Sequence, residues 1–433
     1  MNNYEFYDIA LDHIALCFML LFFSILVHFL IYRKHITSFI DPLFIPIISS
    51  IFSSVVVYLL FVTGNILLSN FISFNFTQIF FWLGLFVFKS IKTNKIVVIN
   101  YVENKINAIV AFYFFSAVYL ITQCLIYYFK GIPIFKNSRL ETFAEGGGEG
   151  VMGRIIDVAS IFSIYAFFVI IKTDRLRLSE IPKYFIMFLI FVTLLLSGSK
   201  ASFLTIFSVF WCYLVFAKIK GGNFMPFINS LKKYKFYILA ICLIVVTFII
   251  VLQNKSEEVD QLNPIVKLFI RFIHSGDVYW YSYPNQVFLT IKGDDGFKAL
   301  FTDTLGLLRI YNWSNLPEAI GITLKNIHHP SDIPEGPNAR HNVFGLIYYG
   351  YIGSIFFSFI LGVLISFVRR VFPIIVKNTL LNGFIFTFLM LKVVYFDTDP
   401  MLTITYLNNL VFIFPFLYLV YLWVLAIFNT KAV

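Results

Sequence analysis

Apolar stretches of about twenty residues recur along the whole chain, and a stretch of that length is what a helix needs to cross a bilayer. The first reads HIALCFMLLFFSILVHFLIY and covers residues 13–32. It is longer than a signal-peptide core and has no basic segment before it, so we interpret it as a retained span. Further spans are predicted near residues 42–65, 75–89, 106–128, 155–171, 182–197, 201–217, 236–253, 343–367, 379–396 and 405–428. The chain is therefore predicted to cross a membrane about eleven times.

These stretches predict helices, because a helix satisfies its own backbone hydrogen bonds in lipid, whereas a β-barrel would show short alternating strands. Hydrophobic residues make up 59% of the 433 positions and charged residues only 13%, which leaves little material for a soluble domain. The expected fold is all-α, a single polytopic membrane domain over residues 1–433.

The distribution of Lys and Arg predicts the orientation of the spans, because basic residues collect in short cytoplasmic loops. With the N-terminus placed outside, nineteen of the 33 basic residues fall in the inner loops with only four acidic residues beside them. The inner loops then carry a net charge of about +15 and the outer loops about −5. The overall charge of +10 is thus explained by topology, and it gives no reason to expect nucleic acid as a partner.

Two outer loops are long, covering residues 130–153 and 254–340, and we expect them to form the active site. Within the larger loop, the stretches NPIVKLFIRFIHSGDVYWYSYP and GDDGFKALFTDTLGLLRIYNW mix apolar and charged residues at helical spacing. This pattern favours helices that lie along the membrane surface.

Each long outer loop also contains an arginine followed at a similar spacing by a glycine. Arg139 precedes Gly150 by ten intervening residues, and Arg340 precedes Gly350 by nine. Paired motifs of this kind in two outer loops of a polytopic protein resemble the Wzy-type O-antigen polymerases.

A second resemblance overlaps the first. The stretch HNVFGLIYYGYIG, with His341, Asn342, Gly350 and Gly353, is similar to the His-Asn and Gly-x-x-Gly pattern of the O-antigen ligases, which are relatives of the polymerases. The short SGSKAS also resembles a Ser-Gly-Ser-Arg turn of this superfamily, although Lys200 stands where arginine is usual. An ammonium acts as a point charge, so this departure weakens a bidentate role there.

The resemblance implies glycosyl transfer at the periplasmic face of a bacterial inner membrane. The donor and the acceptor would be oligosaccharides linked to polyprenyl (undecaprenyl) diphosphate, and a chain-length-regulating membrane protein is a candidate partner. Arg139 and Arg340 would bind the diphosphate, because guanidinium binds two oxygens at once. His341 would accept the proton of the attacking hydroxyl. The substrate-binding candidates are Gly150, Lys200, Arg309, Asn342 and Gly350. No metal or soluble cofactor is required on this interpretation.

Several simpler roles remain open for the same residues. Arg340 and Arg309 are also placed as headgroup anchors, and His341 or Asn342 as a helix cap. Adjacent His328 and His329, or Asp294 and Asp295, are weak metal-site candidates, whereas Asp397 and Asp399 either face a cavity or cap a helix. The four cysteines, Cys17, Cys124, Cys212 and Cys242, are expected in the core without disulfides.

The sequence leaves two other functions as alternatives. An O-antigen ligase would use the same donor and pass the glycan to a lipid A core. A flippase or transporter of the same lipid would also be polytopic, but transporters place their ionisable residues within the spans. Because the spans of this chain show few charges, the sequence favours surface chemistry over passage.

Overall fold

The computed structural model describes residues 1–33, 35–36, 38–89, 105–135, 150–171, 180–197, 200–221, 264–293, 295–330 and 335–430. Across these residues every regular element is helical, and no strand occurs among them. The predicted all-α fold is confirmed for the described part of the chain.

The chain divides into two compact units. The first unit comprises Met1–Ser90, Gln261–Val371 and Lys392–Asn408, and the second comprises Ile91–Asp260, Phe372–Leu391 and Asn409–Val433. The α-helices of the first unit are α1 (Asn3–Asp12), α2 (Ile14–Tyr32), α3 (Phe44–Val62), α4 (Leu68–Leu85), α9 (Pro264–Ile273), α10 (Asp277–Ser282), α11 (Gly296–Leu300), α12 (Thr302–Leu307), α13 (Ile320–His328), α14 (His341–Arg370) and α17 (Pro400–Asn408). Those of the second are α5 (Lys105–Lys130), α6 (Gly150–Ile170), α7 (Ile181–Leu196), α8 (Lys200–Ile219), α15 (Phe372–Ile375), α16 (Leu380–Lys392) and α18 (Phe414–Thr430).

Aromatic side chains dominate the core of each unit. In the second unit the Phe162 ring stacks on Phe115 at 4.0 Å between centroids. In the first unit Trp280 is fully buried and stacks on Phe6 at 4.2 Å. The large share of phenylalanine in the chain therefore supplies helix-packing surfaces as well as surfaces that face lipid.

Among the residues that the structure describes, seven helical segments are long and apolar enough to cross a membrane, so the chain is a polytopic membrane protein. They are Ile14–Tyr32, Phe44–Val62, Ile106–Phe135, Gly150–Ile170, His341–Ile375, Leu380–Asp397 and Pro400–Ile427. Two further apolar helices, Ile181–Leu196 and Leu204–Ile219, are shorter. The expected number of eleven is not confirmed, and the span expected at residues 236–253 lies outside the described residues.

An ion pair and two arginine hydrogen bonds define one end of the helices in the first unit. Arg369, at the end of α14, donates to both carboxylate oxygens of Asp41 at 2.8 and 2.7 Å, just before α3 begins. Arg370 donates to the carbonyl of Phe88, beyond the end of α4, and to Nδ1 of His35, beyond the end of α2. The ends of α2, α4 and α14 and the start of α3 therefore lie together, and we call this the Arg369 end.

Helix α14 is a helical hairpin and not one straight span. Gly350 has φ 66° and ψ −171°, a conformation that interrupts the helix and that side chains other than glycine rarely adopt. The Phe344 ring stacks on Phe357 at 5.3 Å, and Gly345 packs against Ser354. Residues 341–349 therefore form a short arm that folds back along a long arm of residues 351–370.

Two glycines set how closely the long arm approaches α4. A Cβ atom added to Gly362 would overlap the carbonyl oxygen of Phe81, and one added to Gly84 would overlap that of Phe359. Small residues at such crossings let two backbones come into contact, which is a common basis of helix packing in membranes. The long arm is thereby fixed against α4, and the short arm is positioned relative to both.

The later part of the first amphipathic stretch of the large loop, at α10, is buried, whereas Phe272 at the end of α9 is 42% exposed. Phe272 stacks on Phe52 at 4.7 Å, and Ser275 Oγ donates to the carbonyl of Ser49 at 3.1 Å. Gly276 packs against the backbone of Ser53, where a Cβ would be too close. The turn between α9 and α10 therefore lies beside the first half of α3.

Among the cysteines, Cys17 and Cys212 are buried as expected, whereas Cys124 is exposed on α5. The prediction that all the cysteines belong to the core is therefore wrong for Cys124. Cys242 lies outside the described residues.

Candidate functional site

Arg340 stands at the start of the short arm in a strained backbone conformation. Its φ of 36° and ψ of 144° are unusual for a residue with a side chain. The conformation is held on both sides, because the Arg340 amide donates to the Thr398 carbonyl at 2.9 Å while its own carbonyl accepts from Phe344 at 3.0 Å. Strain of this kind costs on the order of 1–3 kcal/mol and is concentrated at functional sites.

The guanidinium of Arg340 is buried and paired. Nη2 donates to Oδ2 of Asp397 at 3.0 Å, and Nη1 donates to Oγ of Ser49 at 2.9 Å. Only 1% of Arg340 and 3% of Asp397 are exposed, so water does not screen this pair. The Nε atom of Arg340 has no hydrogen-bond partner among the described residues. One edge of the guanidinium therefore retains a donor.

His341 lies between Asp397 and the long arm. Its Nδ1 is 2.9 Å from Oγ of Ser358, its Nε2 is 3.5 Å from Oδ1 of Asp397, and its ring stacks on Phe81 at 4.6 Å. A separation of 3.5 Å is too long for a hydrogen bond of normal strength. Within the described residues neither Nε2 of His341 nor Oδ1 of Asp397 has a hydrogen-bond partner. The cluster thus combines a cation, an anion and an imidazole with polar atoms still available.

Asn342 holds the short arm in place. Its Nδ2 donates to Oγ1 of Thr77 on α4 at 2.8 Å, and its Oδ1 accepts from the hydroxyl of Tyr279 on α10 at 2.7 Å. Tyr279 is itself fully buried, and burial raises the pKa of its hydroxyl, which keeps it a donor. The predicted substrate-binding residue therefore connects three elements around Arg340 and His341.

The cluster lies deep in the first unit. Ser49 is the sixth residue of α3, so it lies about 8 Å from the start of that helix and about 20 Å from its end at 1.5 Å per residue. Phe81, which the His341 ring covers, is likewise closer to the Arg369 end of α4. The sequence placed Arg340 and His341 at the edge of a span, whereas the hairpin carries them inward among the helices.

The other predicted site residues are not all gathered here. Arg139 lies outside the described residues, and Lys200 begins α8, with a side chain outside the described part. Gly150 begins α6 in the second unit with φ 58°, and a Cβ added there meets no atom within 4 Å. Arg309 is exposed after α12 with φ 53°, in contrast to buried Arg340. Gly350 forms the turn of the hairpin, which accounts for a glycine at that position.

The weak metal-site candidates have ordinary structural roles. Asp295 accepts a hydrogen bond from the amide of Lys298 at the start of α11, and Asp294 lies outside the described residues. His328 bonds through Nε2 to the carbonyl of Tyr281 at 2.9 Å. In the described part of the chain, no three His, Cys, Asp or Glu side chains are grouped closely enough to hold a metal ion.

Of the two aspartates in FDTDP, one caps a helix and the other belongs to the cluster. Oδ1 of Asp399 accepts from the amide of Leu402 at 3.0 Å at the start of α17, which confirms the capping role for that residue. Asp397 pairs with Arg340 instead. The sequence signal for Asp397 was an acidic residue at the end of an apolar stretch, where an ionisable side chain is costly unless it is paired.

Sequence reasoning also missed Ser49 and Ser358, which contact the cluster from α3 and the long arm. Serine is common in membrane helices and often bonds to its own backbone, so neither position was distinguishable.

The chain matches no protein-family model, no curated protein and no solved structure.

The arrangement is suited to binding an anionic oxygen next to a proton acceptor. The free Nε of Arg340 can donate to a phosphate oxygen, and Oδ1 of Asp397 can accept a proton or a hydrogen bond from a hydroxyl. Both functions act in a site that is almost free of water, where electrostatic interactions are strong.

Proposed function

We propose that the chain is a membrane-embedded glycosyltransferase of the O-antigen polymerase type. The observation that carries the proposal is the buried cluster of Arg340, His341 and Asp397, with three polar atoms that lack partners among the described residues. Ionisable residues inside a membrane domain are expensive and usually functional. The substrates would be oligosaccharides linked to polyprenyl diphosphate, as donor and as acceptor.

In this mechanism Arg340 stabilises the leaving diphosphate. The acceptor oxygen bonds to the anomeric carbon of the donor, the bond from that carbon to the diphosphate oxygen breaks, and polyprenyl diphosphate leaves. Negative charge grows on the departing oxygen, where a preorganised cation contributes roughly 3–4 kcal/mol. The Ser49 contact and the Asp397 contact fix the orientation of the guanidinium before substrate binds.

The proton of the acceptor hydroxyl passes to the carboxylate of Asp397 in this proposal. The sequence favoured His341 as the base, but Nδ1 of His341 already contacts Ser358 and its Nε2 faces Asp397. That geometry supports His341 as a residue that orients Asp397, through a contact that is 3.5 Å long here and would shorten to a hydrogen bond when substrate binds. His341→Gln separates the roles, because glutamine can donate hydrogen bonds but cannot accept a proton at neutral pH.

The test uses the purified full-length chain in proteoliposomes with a polyprenyl-diphosphate-linked oligosaccharide, and measures polymer length and release of polyprenyl diphosphate. We expect Arg340→Lys and Asp397→Asn each to lower the rate by roughly 10²–10³-fold. Lysine binds phosphate only as a point charge, and asparagine cannot accept the proton that Asp397 accepts in this proposal. Arg369→Lys is the matched control, since Arg369 also forms a buried pair but at the far end of α14. Its rate per folded molecule should not change.

Elongation at the normal rate by Arg340→Lys would contradict the proposed diphosphate role. Release without polymer, in the presence of a lipid A core acceptor that becomes glycosylated, would identify the ligase alternative. If His341→Gln elongates normally and His341→Ala does not, His341 orients and Asp397 remains the base. Loss of elongation in both variants would indicate that His341 itself is the base.

A transporter of the same lipid is the second candidate, and a specific observation favours it. The sequence disfavours this class because the spans show few charges, yet Arg340, His341 and Asp397 are buried beside a broken helix. Transporters bind substrates at such discontinuous helices. In the same vesicles, protection of labelled oligosaccharide from an external glycosidase, without any elongation, would support transport over transfer.

We further propose that the membrane is a bacterial inner membrane, with the N-terminus in the periplasm and the C-terminus in the cytoplasm. The support is the bias of basic residues, including Arg369 and Arg370 at the Arg369 end. On this topology the cluster of Arg340 and His341 lies in the cytoplasmic half of the first unit, so a diphosphate that arrives from the periplasm has to enter that deeply to reach it. Cysteine introduced at exposed Glu318 should react with an impermeant thiol reagent on intact cells, whereas cysteine at Asn429 should not. Reaction only at position 429 would invert the topology.

A further inference from the structure

Eight consecutive exposed residues, 308–315, follow α12, and the first six of them form a mostly apolar surface. Residues 308–313 read LRIYNW, and we call them the aromatic loop. Leu308 is 51% exposed, Ile310 58% and Trp313 57%. A run of exposed apolar side chains at this density is unfavourable in water and therefore indicates contact with another apolar surface.

The backbone of the aromatic loop is fixed by a helix-capping motif. The amide of Arg309 donates to the Gly306 carbonyl at 3.1 Å, and the amide of Ile310 donates to the Leu305 carbonyl at 3.0 Å. This is the Schellman pattern, in which the left-handed position is usually glycine. Here Arg309 occupies it with φ 53°. An arginine at a position that favours glycine indicates that its side chain has a role of its own.

The aromatic loop also packs on the two helices before it, α11 and α12. Trp313 lies over Gly306, where an added Cβ would come within 2.6 Å of the indole ring. Lys298 Nζ lies 4.6 Å from the centre of the Tyr311 ring. The loop is therefore a fixed platform that carries apolar and aromatic groups together with two cations, Arg309 and Lys298.

The hairpin indicates the position of this platform along the membrane normal. Helix α11 lies one residue before α12 and packs against the hairpin turn. A Cβ added to Gly296 in α11 would lie 2.7 Å from the ring of Tyr349, next to the turn. The long arm runs for 20 residues from that turn to the Arg369 end, which is about 30 Å and equals the thickness of the hydrocarbon core. The platform thus lies at the level of the opposite membrane boundary.

We propose that the aromatic loop docks into the headgroup region of the chain's own membrane. Trp and Tyr favour that boundary, Leu308 and Ile310 enter the acyl region, and Arg309 with Lys298 faces lipid phosphates. Charge supports a membrane as the binding partner, because Arg309 is the one charged residue within the loop and its positive charge is complementary to the negative phosphates. The surface assigns Arg309 to membrane lipid, and the assignment holds whatever reaction the chain performs.

The docking is tested with a fluorophore on Ile310→Cys, in the full chain with its four native cysteines replaced and reconstituted in phosphatidylethanolamine and phosphatidylglycerol vesicles. Some of the lipids carry a nitroxide quencher near the top of the acyl chain. We expect several-fold stronger quenching at position 310 than at Glu318→Cys, an exposed and charged position that serves as the control. Equal quenching at the two positions would overturn the docking.

A second arm tests the phosphate contact. Arg309→Gly suits the left-handed backbone, so it retains the loop conformation while it removes the cation. Quenching at position 310 should fall in the phospholipid vesicles but not in vesicles of digalactosyl diacylglycerol, which have no phosphate. A fall in both membranes, or in neither, would overturn the role of Arg309 in binding lipid phosphate. Unchanged thermal stability in detergent would show that the variant is folded.

Discussion

Nδ1 of His341 and Oγ of Ser358 lie 2.9 Å apart, although 17 residues separate them within α14. In a straight helix the same residues would be about 26 Å apart. The contact is made because Gly350 reverses the direction of the chain. The position of the candidate site inside the bundle depends on this turn.

The hairpin predicts a disulfide within one helical stretch. Gly345 packs against Ser354, and a Cβ on Gly345 would lie 2.9 Å from Cβ of Ser354. With the native cysteines replaced, Gly345→Cys with Ser354→Cys should cross-link under mild oxidation after a small shift. Ser354→Cys with Val363→Cys has the same spacing within the long arm and should not. Mass spectrometry of a digest reads both, and a straight α14 would leave both pairs reduced.

The sequence located the hairpin residues but not the hairpin. Both arms are apolar and helical, so hydropathy cannot distinguish them from one span, and residues 343–367 were predicted as such. The length of the predicted span carries a weak signal, because residues 343–367 would make roughly 38 Å of helix, beyond a hydrocarbon core of about 30 Å. A tilted span explains such a length equally well, so sequence alone did not decide.

Only some of the residues of the candidate site could be identified together from the sequence. Arg340, His341 and Asn342 were identified from their order in the chain, whereas Asp397 is 57 residues away and reaches Arg340 only through the fold. No local pattern predicts a pairing across that distance. The surface position expected for the first amphipathic stretch stays a prediction for α9. The burial of Tyr279 and Trp280 in α10 against other segments has no local sequence signal either.

Gly350→Ala should destabilise the protein. A side chain at φ 66° and ψ −171° costs on the order of 1–3 kcal/mol, which for a chain of this length corresponds to a fall of roughly 1–3 °C in the thermal midpoint. Ile352→Ala is the control, since Ile352 is 73% exposed just after the turn. Thermal unfolding in detergent compares the two. A Gly350→Ala midpoint no lower than that of the control would show that the turn does not need glycine.

His328 should make stability depend on pH. Burial is the largest cause that lowers its pKa below the usual 6.5, against the opposing effect of the Tyr281 carbonyl. Below 6.5 the unfolded chain therefore binds more protons than the folded one, so stability falls as the pH drops below 6.5, towards the lowered pKa. His328→Gln should weaken the loss of thermal stability between pH 7 and pH 5. The same loss in His328→Gln and in His13→Gln, at an exposed position, would contradict this.

The Arg340 and Asp397 pair should behave as a buried ion pair in a mutant cycle. Removing either charge alone leaves the other unpaired among helices, which costs roughly 3–5 kcal/mol. Replacing both by apolar residues of similar volume, Arg340→Met with Asp397→Leu, should therefore be less destabilising than Asp397→Leu alone, although the double variant is inactive on the proposed mechanism. Thermal midpoints in detergent for the two single variants and the double variant give the coupling. Additive losses would mean that the two charges do not depend on each other. If the two losses are strongly coupled and the double variant is inactive, the charges are needed for the reaction, although the fold can be stable without them.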